Sequence, residues 1–177
     1  MTMTDVKLGC PGHALVADKR KPHSIRLGAS MELPAHPGHS RAGSRCRIIE
    51  LPKIPDARGN LTFLEGHRHI PFGIARAYWL YDVPGGQVRG GHAYRQLEEF
   101  FVALSGSFDV VVDLGNSPEH FVLNRSYVGL YVPRLVWRHI ENFSTNAVCL
   151  ILASRRFEAA DYIRDYDQFV QESREHA

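Results

Sequence analysis

The chain has little with which to staple or anchor itself. Its 177 residues include only three cysteines, Cys10, Cys46 and Cys149, with no C-x-x-C spacing. Such a set argues against a disulfide framework or a cysteine-based zinc site. Cys149 stands inside an apolar run and reads as a core residue. No run reaches the about 18 consecutive apolar residues that a membrane-spanning helix needs. The N-terminus lacks an apolar signal core, so the expectation is a cytoplasmic protein. Net charge is +2 with His neutral, too little to argue for binding to nucleic acid or membranes. Lysine is scarce, 4 against 17 arginines. Arginine suits bidentate contact with phosphate or carboxylate, although coding bias produces the same skew. What remains is ordinary: 44% hydrophobic and 23% charged residues, enough for one domain with a sizeable core.

Residues 1–44 mix Pro, Gly, Ser, His and basic residues without a period. The segment Leu33-Pro34-Ala35-His36-Pro37-Gly38-His39-Ser40 forbids a regular element. His13, His23, His36 and His39 leave a metal-binding tail conceivable, but the reading favoured is a poorly ordered extension. The folded domain is expected over 45–177.

From there the pattern is of short strands: Arg47–Pro52, Gly59–Glu65, Ile74–Asp82, then Phe100–Val112, broken into a hairpin at Ser105-Gly106-Ser107. Phe100, Val102, Leu104, Phe108, Val110 and Val112 share one parity, as a half-buried strand requires. Further strands are expected over His120–Leu123, Val128–Val132, Trp137–Asn142 and Ala147–Ala153. Many short strands with regular turns imply an all-β antiparallel sandwich or barrel. Tyr162, Tyr166, Phe169 and Val170 switch to helical spacing and predict one C-terminal helix over about Glu158–Glu175.

The chemistry-bearing run is Gly86 to Gly106. His92 and Tyr94 are two apart on a predicted strand, so they share a face. Taken alone, His92 reads as a structural histidine. Arg58 in Asp56-Ala57-Arg58-Gly59 and Arg89 in Arg89-Gly90-Gly91-His92 flank turns near it, and Tyr78, Tyr81, Tyr131 and Trp137 are candidate aromatic walls, equally able to fill a core.

This run resembles the first cupin motif, G-x5-H-x-H-x3-4-E-x6-G, with Gly86, His92, Glu99 and Gly106 in register and Tyr94 in place of the second His. Pro133 to Asn142 resembles the second, P-x-G-x2-H-x3-N, with Leu135 in the Gly slot and Arg138 in the His slot. His139 is one position off and faces the other way. The resemblance implies a cupin (RmlC-like) antiparallel barrel or jelly roll with one C-terminal helix. A guanidinium cannot coordinate a metal, so neither metal nor any other cofactor is expected.

The D-x-R-G and R-G-x-H segments further resemble cupin enzymes acting on dTDP-4-keto-6-deoxyhexoses. Two branches are candidates, the 3,5-epimerases and the 3,4-ketoisomerases with their WxcM-like relatives. Ile74–Asp82, Val128–Pro133 with Trp137, and Ala153-Ser154 with Ala160–Tyr166 look like the ketoisomerase branch over about residues 46–170. That resemblance implies a dTDP-linked 4-keto-6-deoxysugar as partner, in a pathway to deoxyamino sugars of surface polysaccharide. It implies His92 as base, since neutral imidazole has a pKa of about 6.5. Tyr94 joins it as second catalytic residue, and Arg58, Tyr78, Arg89, Glu99, Tyr131, Trp137 and Arg138 contact substrate. Arg58 and Arg89 take the diphosphate; Arg138 or a tyrosine stabilises the oxyanion.

The family's usual H-A-H is His92-Ala93-Tyr94 here. Three consequences stay open: Tyr94 as the acid that returns the proton, a different product, or a sugar-nucleotide binder without turnover. Barrel edges of this kind are commonly covered by a second subunit, so a homodimer is expected.

Overall fold

The computed structural model describes residues 46–115 and 117–176; the 1–44 extension, with its histidines, lies outside them. The strands are β1 (Arg47–Glu50), β2 (Lys53–Ile54), β3 (Leu61–Thr62), β4 (Arg76–Leu80), β5 (Arg89–Tyr94), β6 (Glu99–Ser105), β7 (Phe108–Asp113), β8 (Pro118–Leu123), β9 (Val128–Val132), β10 (Trp137–Glu141), β11 (Val148–Ala153) and β12 (Tyr162–Ile163). Helix α1 spans Tyr166–Glu175. One five-stranded sheet has the order β1-β9-β6-β11-β4 and the other β12-β5-β10-β7-β8, with β2-β3 a separate ribbon. Every strand pairing within the sheets is antiparallel.

The sheets enclose the main core. Phe101, Ala103, Leu130, Val132, Cys149 and Ile151 enter it from one sheet, and Phe108, Val110, Val112, Leu123 and Ile140 from the other. A second cluster lies on the outer face of the first sheet, where Leu51, Ile70 and Phe72 cover Phe100, Val102, Tyr131 and Leu152. A third lies outside the second sheet, where Phe169 of α1 packs with Ala93, Leu135 and Ile163. The first sheet is thus apolar on both faces over much of its area, and the second is covered on its outer face where α1 packs.

That double burial overturns one expectation. Phe100 and Val102 point to the outer cluster while Phe108, Val110 and Val112 point inward, and Leu104 is exposed. The strands β6 and β7 do not pair: β6 lies between β9 and β11, and β7 between β8 and β10. The turn at 105–107 is a crossing between sheets, not a hairpin. Gly106 serves it with φ +65°, where a Cβ would meet Ser144 Oγ at 2.5 Å and Ala147 Cα at 2.8 Å.

The helix also begins later than expected. Residues 159–161 form one short 3-10 turn and Tyr162–Ile163 pair with β5 as a strand. Asp165 then caps α1, its Oδ1 accepting from Gln168 N at 2.8 Å. The expected strand over 59–65 shrinks to Leu61–Thr62. Among the described residues no helix is long and apolar enough to cross a membrane.

Candidate active site

Strand β5 carries the site. Gly90 and Gly91 both have positive φ, and the β5–β10 register shifts between Arg138 and His139. A Cβ on Gly90 would sit 3.1 Å from the Arg138 carbonyl oxygen and 3.2 Å from His139 Cα. Glycine here lets β10 close onto β5 and brings Arg138 opposite His92.

His92 and Tyr94 do share a face, their rings 5.0 Å apart and edge-on. His92 Nε2 is buried without a hydrogen-bond partner among the described residues. No protein group among them competes for that nitrogen. Burial, then the Arg138 charge, hold the imidazole neutral, with its pKa lowered to about 3. Tyr94 is buried, and burial followed by the Glu99 charge pushes its hydroxyl pKa well above the ordinary tyrosine value.

Beneath these rings lies an ion pair. Arg138 and Glu99 are 3% and 2% exposed. Arg138 Nε and Nη2 donate to Glu99 Oε2 at 2.9 and 2.5 Å, and Nη1 donates to the His92 carbonyl at 2.6 Å. Tyr78 donates to Glu99 Oε1 at 2.5 Å. The Arg138 guanidinium also stacks 4.1 Å from the Tyr94 ring centroid. The pair fixes the shape of the floor and holds a cation under the tyrosine ring.

Glu99 and Arg138, both expected to contact substrate, bond to each other, to Tyr78 and to the His92 carbonyl. The four slots of a metal-binding cupin hold His92, Tyr94, Glu99 and Arg138 here, with the carboxylate engaged and a cation in the last. That donor set does not fit a divalent metal. Among the described residues no group of three or more His, Cys, Asp or Glu is placed to hold one.

Two aromatic expectations are also displaced. Trp137 packs on Tyr166 and Phe169 under α1, 5.2 and 5.7 Å between centroids, outside the barrel. Tyr131 lies in the outer cluster of the first sheet, its hydroxyl bonded to Glu98. On β9 the residues of both faces are buried, so alternation could not tell inside from outside there. Tyr81 is exposed. Arg58 is 88% exposed and donates to Asp56 within its own turn. Arg89 is exposed at the start of β5. Of the expected set, His92, Tyr94 and Tyr78 meet over the Glu99–Arg138 floor.

Other residues join them. Arg76, two before Tyr78 on β4, stacks 5.0 Å from the Tyr78 ring centroid and 5.7 Å from that of Phe157. Its Nε is buried without a hydrogen-bond partner among the described residues. Period two from Tyr78 was the signal for it. Tyr162 stands 4.9 Å from the His92 ring and 4.4 Å from the Tyr94 ring; its helical spacing with Tyr166 concealed it. Ser154, Arg155, Arg156, Phe157 and Glu158 line an open cleft.

Comparison with known proteins adds to this geometry. The family described as FdtA, WxcM-like C-terminal, matches residues 44–174. A TDP-4-oxo-6-deoxy-alpha-D-glucose-3,4-oxoisomerase from Aneurinibacillus thermoaerophilus is 42% identical over 123 residues, 70% of this chain and 88% of that protein. The solved structure of a variant of the 3,4-ketoisomerase QdtA from Thermoanaerobacterium thermosaccharolyticum, in complex with TDP-4-keto-6-deoxyglucose, is 34% identical. It aligns with a TM-score of 0.72 over 73% of this chain and 94% of that one. The Mycobacterium tuberculosis rmlC epimerase, 17% identical, has a TM-score of 0.61 over 72% of each chain and shares the fold.

Proposed function

The chain belongs to the WxcM-like, C-terminal (FdtA) family, and on that premise we propose that it is a 3,4-ketoisomerase of a dTDP-linked 4-keto-6-deoxyhexose. The observation that carries the reading within the site is the free, buried Nε2 of a neutral His92. A base for a proton next to a ketone needs a neutral ring nitrogen with no competing partner.

The reaction then runs by proton transfer. His92 Nε2 takes the C3 proton; the C3–H electron pair becomes the C3–C4 double bond, and O4 takes up the negative charge. The O3 proton passes to O4. Tyr94 returns a proton to C4 as C3–O3 becomes the new carbonyl. The sum is a ketone moved from C4 to C3 with no atom gained or lost. Tyr78 stands beside Tyr94 and bonds Glu99. Arg76, with its unpaired Nε, joins Arg58 and Arg89 as a candidate contact for the anionic part of the substrate. No step calls on a metal or other cofactor. The reading also makes the enzyme cytoplasmic, a homodimer, and a supplier of keto sugars to deoxyamino-sugar and surface-polysaccharide synthesis.

Incubation with dTDP-4-keto-6-deoxyglucose in D2O tests this. The expected result is deuterium at C3 of recovered substrate together with a 3-keto product. Deuterium at both C3 and C5 with the 4-ketone retained would mean epimerisation. Stabilisation by dTDP with neither exchange nor product would leave only a binding protein.

A further inference from the structure

One phenyl ring beside the site stands in water and has no part in the scheme above. Phe157 is 63% exposed, more than any other large apolar side chain among the described residues. Leaving that much ring in water forgoes the free energy of burying it, yet the ring is held in place. The Arg76 guanidinium lies over it at 5.7 Å from the centroid, and over the Tyr78 ring at 5.0 Å. The Tyr162 ring stands 5.8 Å from Phe157 and 4.9 Å from His92. Phe157 is thus two ring contacts from the imidazole.

The segment that carries the ring is anchored at both ends on the β5–β6 connection. At its start, Glu98 N donates to Ser154 Oγ at 2.8 Å and Ser154 N donates to the Glu98 carbonyl at 3.0 Å. At its end, the Asp161 carboxylate accepts from Gln96 N and Leu97 N at 2.8 and 3.1 Å, and Arg95 Nη1 donates to the Ala160 carbonyl at 2.8 Å. Between these anchors, residues 154–158 line the open cleft. Arg155 and Arg156 are exposed there, and Glu158 is the one carboxylate among the lining residues. Arg76, with its buried and unpartnered Nε, adds a third guanidinium next to the ring.

An aromatic ring open to a cleft, with guanidiniums on and beside it, fits a ligand that joins a flat base to an anionic group. A nucleotide-linked sugar has its parts in that order: keto sugar, diphosphate, ribose, base. With the sugar at His92, the base comes to the far end, where Phe157 stands. We infer that Phe157 is the platform on which the nucleotide base of the substrate stacks, with Arg76 bracing the ring. This rests on the ketoisomerase reading. A base stacked on a phenyl ring is gripped by its face, so Phe157 supplies affinity for the nucleotide without reading which base it carries. The diphosphate is held by the cations and does not need the ring.

That division of labour is what the experiment reads. Full-length wild type, Phe157→Leu and Phe157→Tyr are titrated by calorimetry with dTDP and, separately, with inorganic pyrophosphate. Leucine removes the flat surface; tyrosine keeps it. For Phe157→Leu the expected result is dTDP affinity lower by about fivefold to a hundredfold, the range of a lost base–aromatic stack. Phe157→Tyr is expected to bind dTDP as wild type does, and pyrophosphate affinity to be the same in all three. Unchanged dTDP affinity in Phe157→Leu overturns the inference, as does a matching fall in pyrophosphate affinity, which would mean that the ring only shapes the cleft. An equal loss of dTDP affinity in Phe157→Tyr, or a Phe157→Leu protein that does not fold, overturns it too. All four results leave the ketoisomerase reading intact. A wild type that does not bind dTDP overturns that reading and this inference with it.

Discussion

At the residue scale, the site turns on how one imidazole is kept neutral. His92→Asn removes the lone pair; kcat is expected to fall by about 10²–10⁴, the usual worth of a general base, with dTDP affinity retained by calorimetry. The pH dependence follows from the direction of the shift. The folded pKa of His92 is depressed from 6.5 to about 3, so between those values the unfolded chain binds a proton that the folded one refuses. Stability tied to this group is full above about 6.5 and declines as pH falls toward 3. For activity, kcat/KM reports the free enzyme and should show no acid limb near 6.5. The negative charge of a bound dTDP-sugar favours the charged imidazole, so the acid limb of kcat should lie at higher pH than that of kcat/KM. Coincident limbs near 6.5 in both profiles would contradict the assignment. The Arg138–Glu99 pair makes a separate prediction. Arg138→Met strands a buried carboxylate and should cost about 3–5 kcal/mol in denaturant unfolding, whereas combining it with Glu99→Leu should recover most of that.

At the scale of elements, the spacing Gly86-His92-Glu99-Gly106 was readable because it marks turn, strand, strand and turn: Gly86 and Gly106 have positive φ, His92 lies on β5 and Glu99 on β6. The side of the sheet was not readable. Phe100 and Phe101 are neighbours in sequence, lie on opposite faces of β6, and are both buried, so no alternation separates them. Tyr162 was lost to the helix because Tyr162, Tyr166, Phe169 and Val170 fit a period of 3.6 as well as any amphipathic segment does. Only the capping bond of Asp165, and the tertiary pull of Asp161 on the β5–β6 connection, decide that the helix starts after them. Asp161→Ala should therefore act at a distance. It removes a charged acceptor from two backbone N–H groups, one of them buried. The expected loss is about 1.5–3 kcal/mol per bond, with faster hydrogen exchange at Gln96 and Leu97.

At the scale of the whole molecule, two sheets close most of the barrel, but β1 and β4 remain the open edges of one of them. Trp79 and Tyr81, on β4 and just past it, are 58% and 61% exposed. An apolar edge left in water invites pairing. Light scattering is expected to return a dimer for the wild type and a monomer for Trp79→Glu. A monomeric wild type at micromolar concentration would contradict the proposed assembly. The salt-bridged floor also bears on which sequences can stand near this one. A substitution at Arg138 alone, even to a residue able to bind a metal, leaves Glu99 charged and unpaired. A substitution at Glu99 alone leaves Arg138 in the same position. A walk by single changes from this chain to a metal-binding cupin thus passes through a protein about 3–5 kcal/mol less stable, a large part of what a domain this size has. Positions 99 and 138 are then expected to change together or not at all, and descendants of this chain to inherit the guanidinium as a fixed part of the barrel.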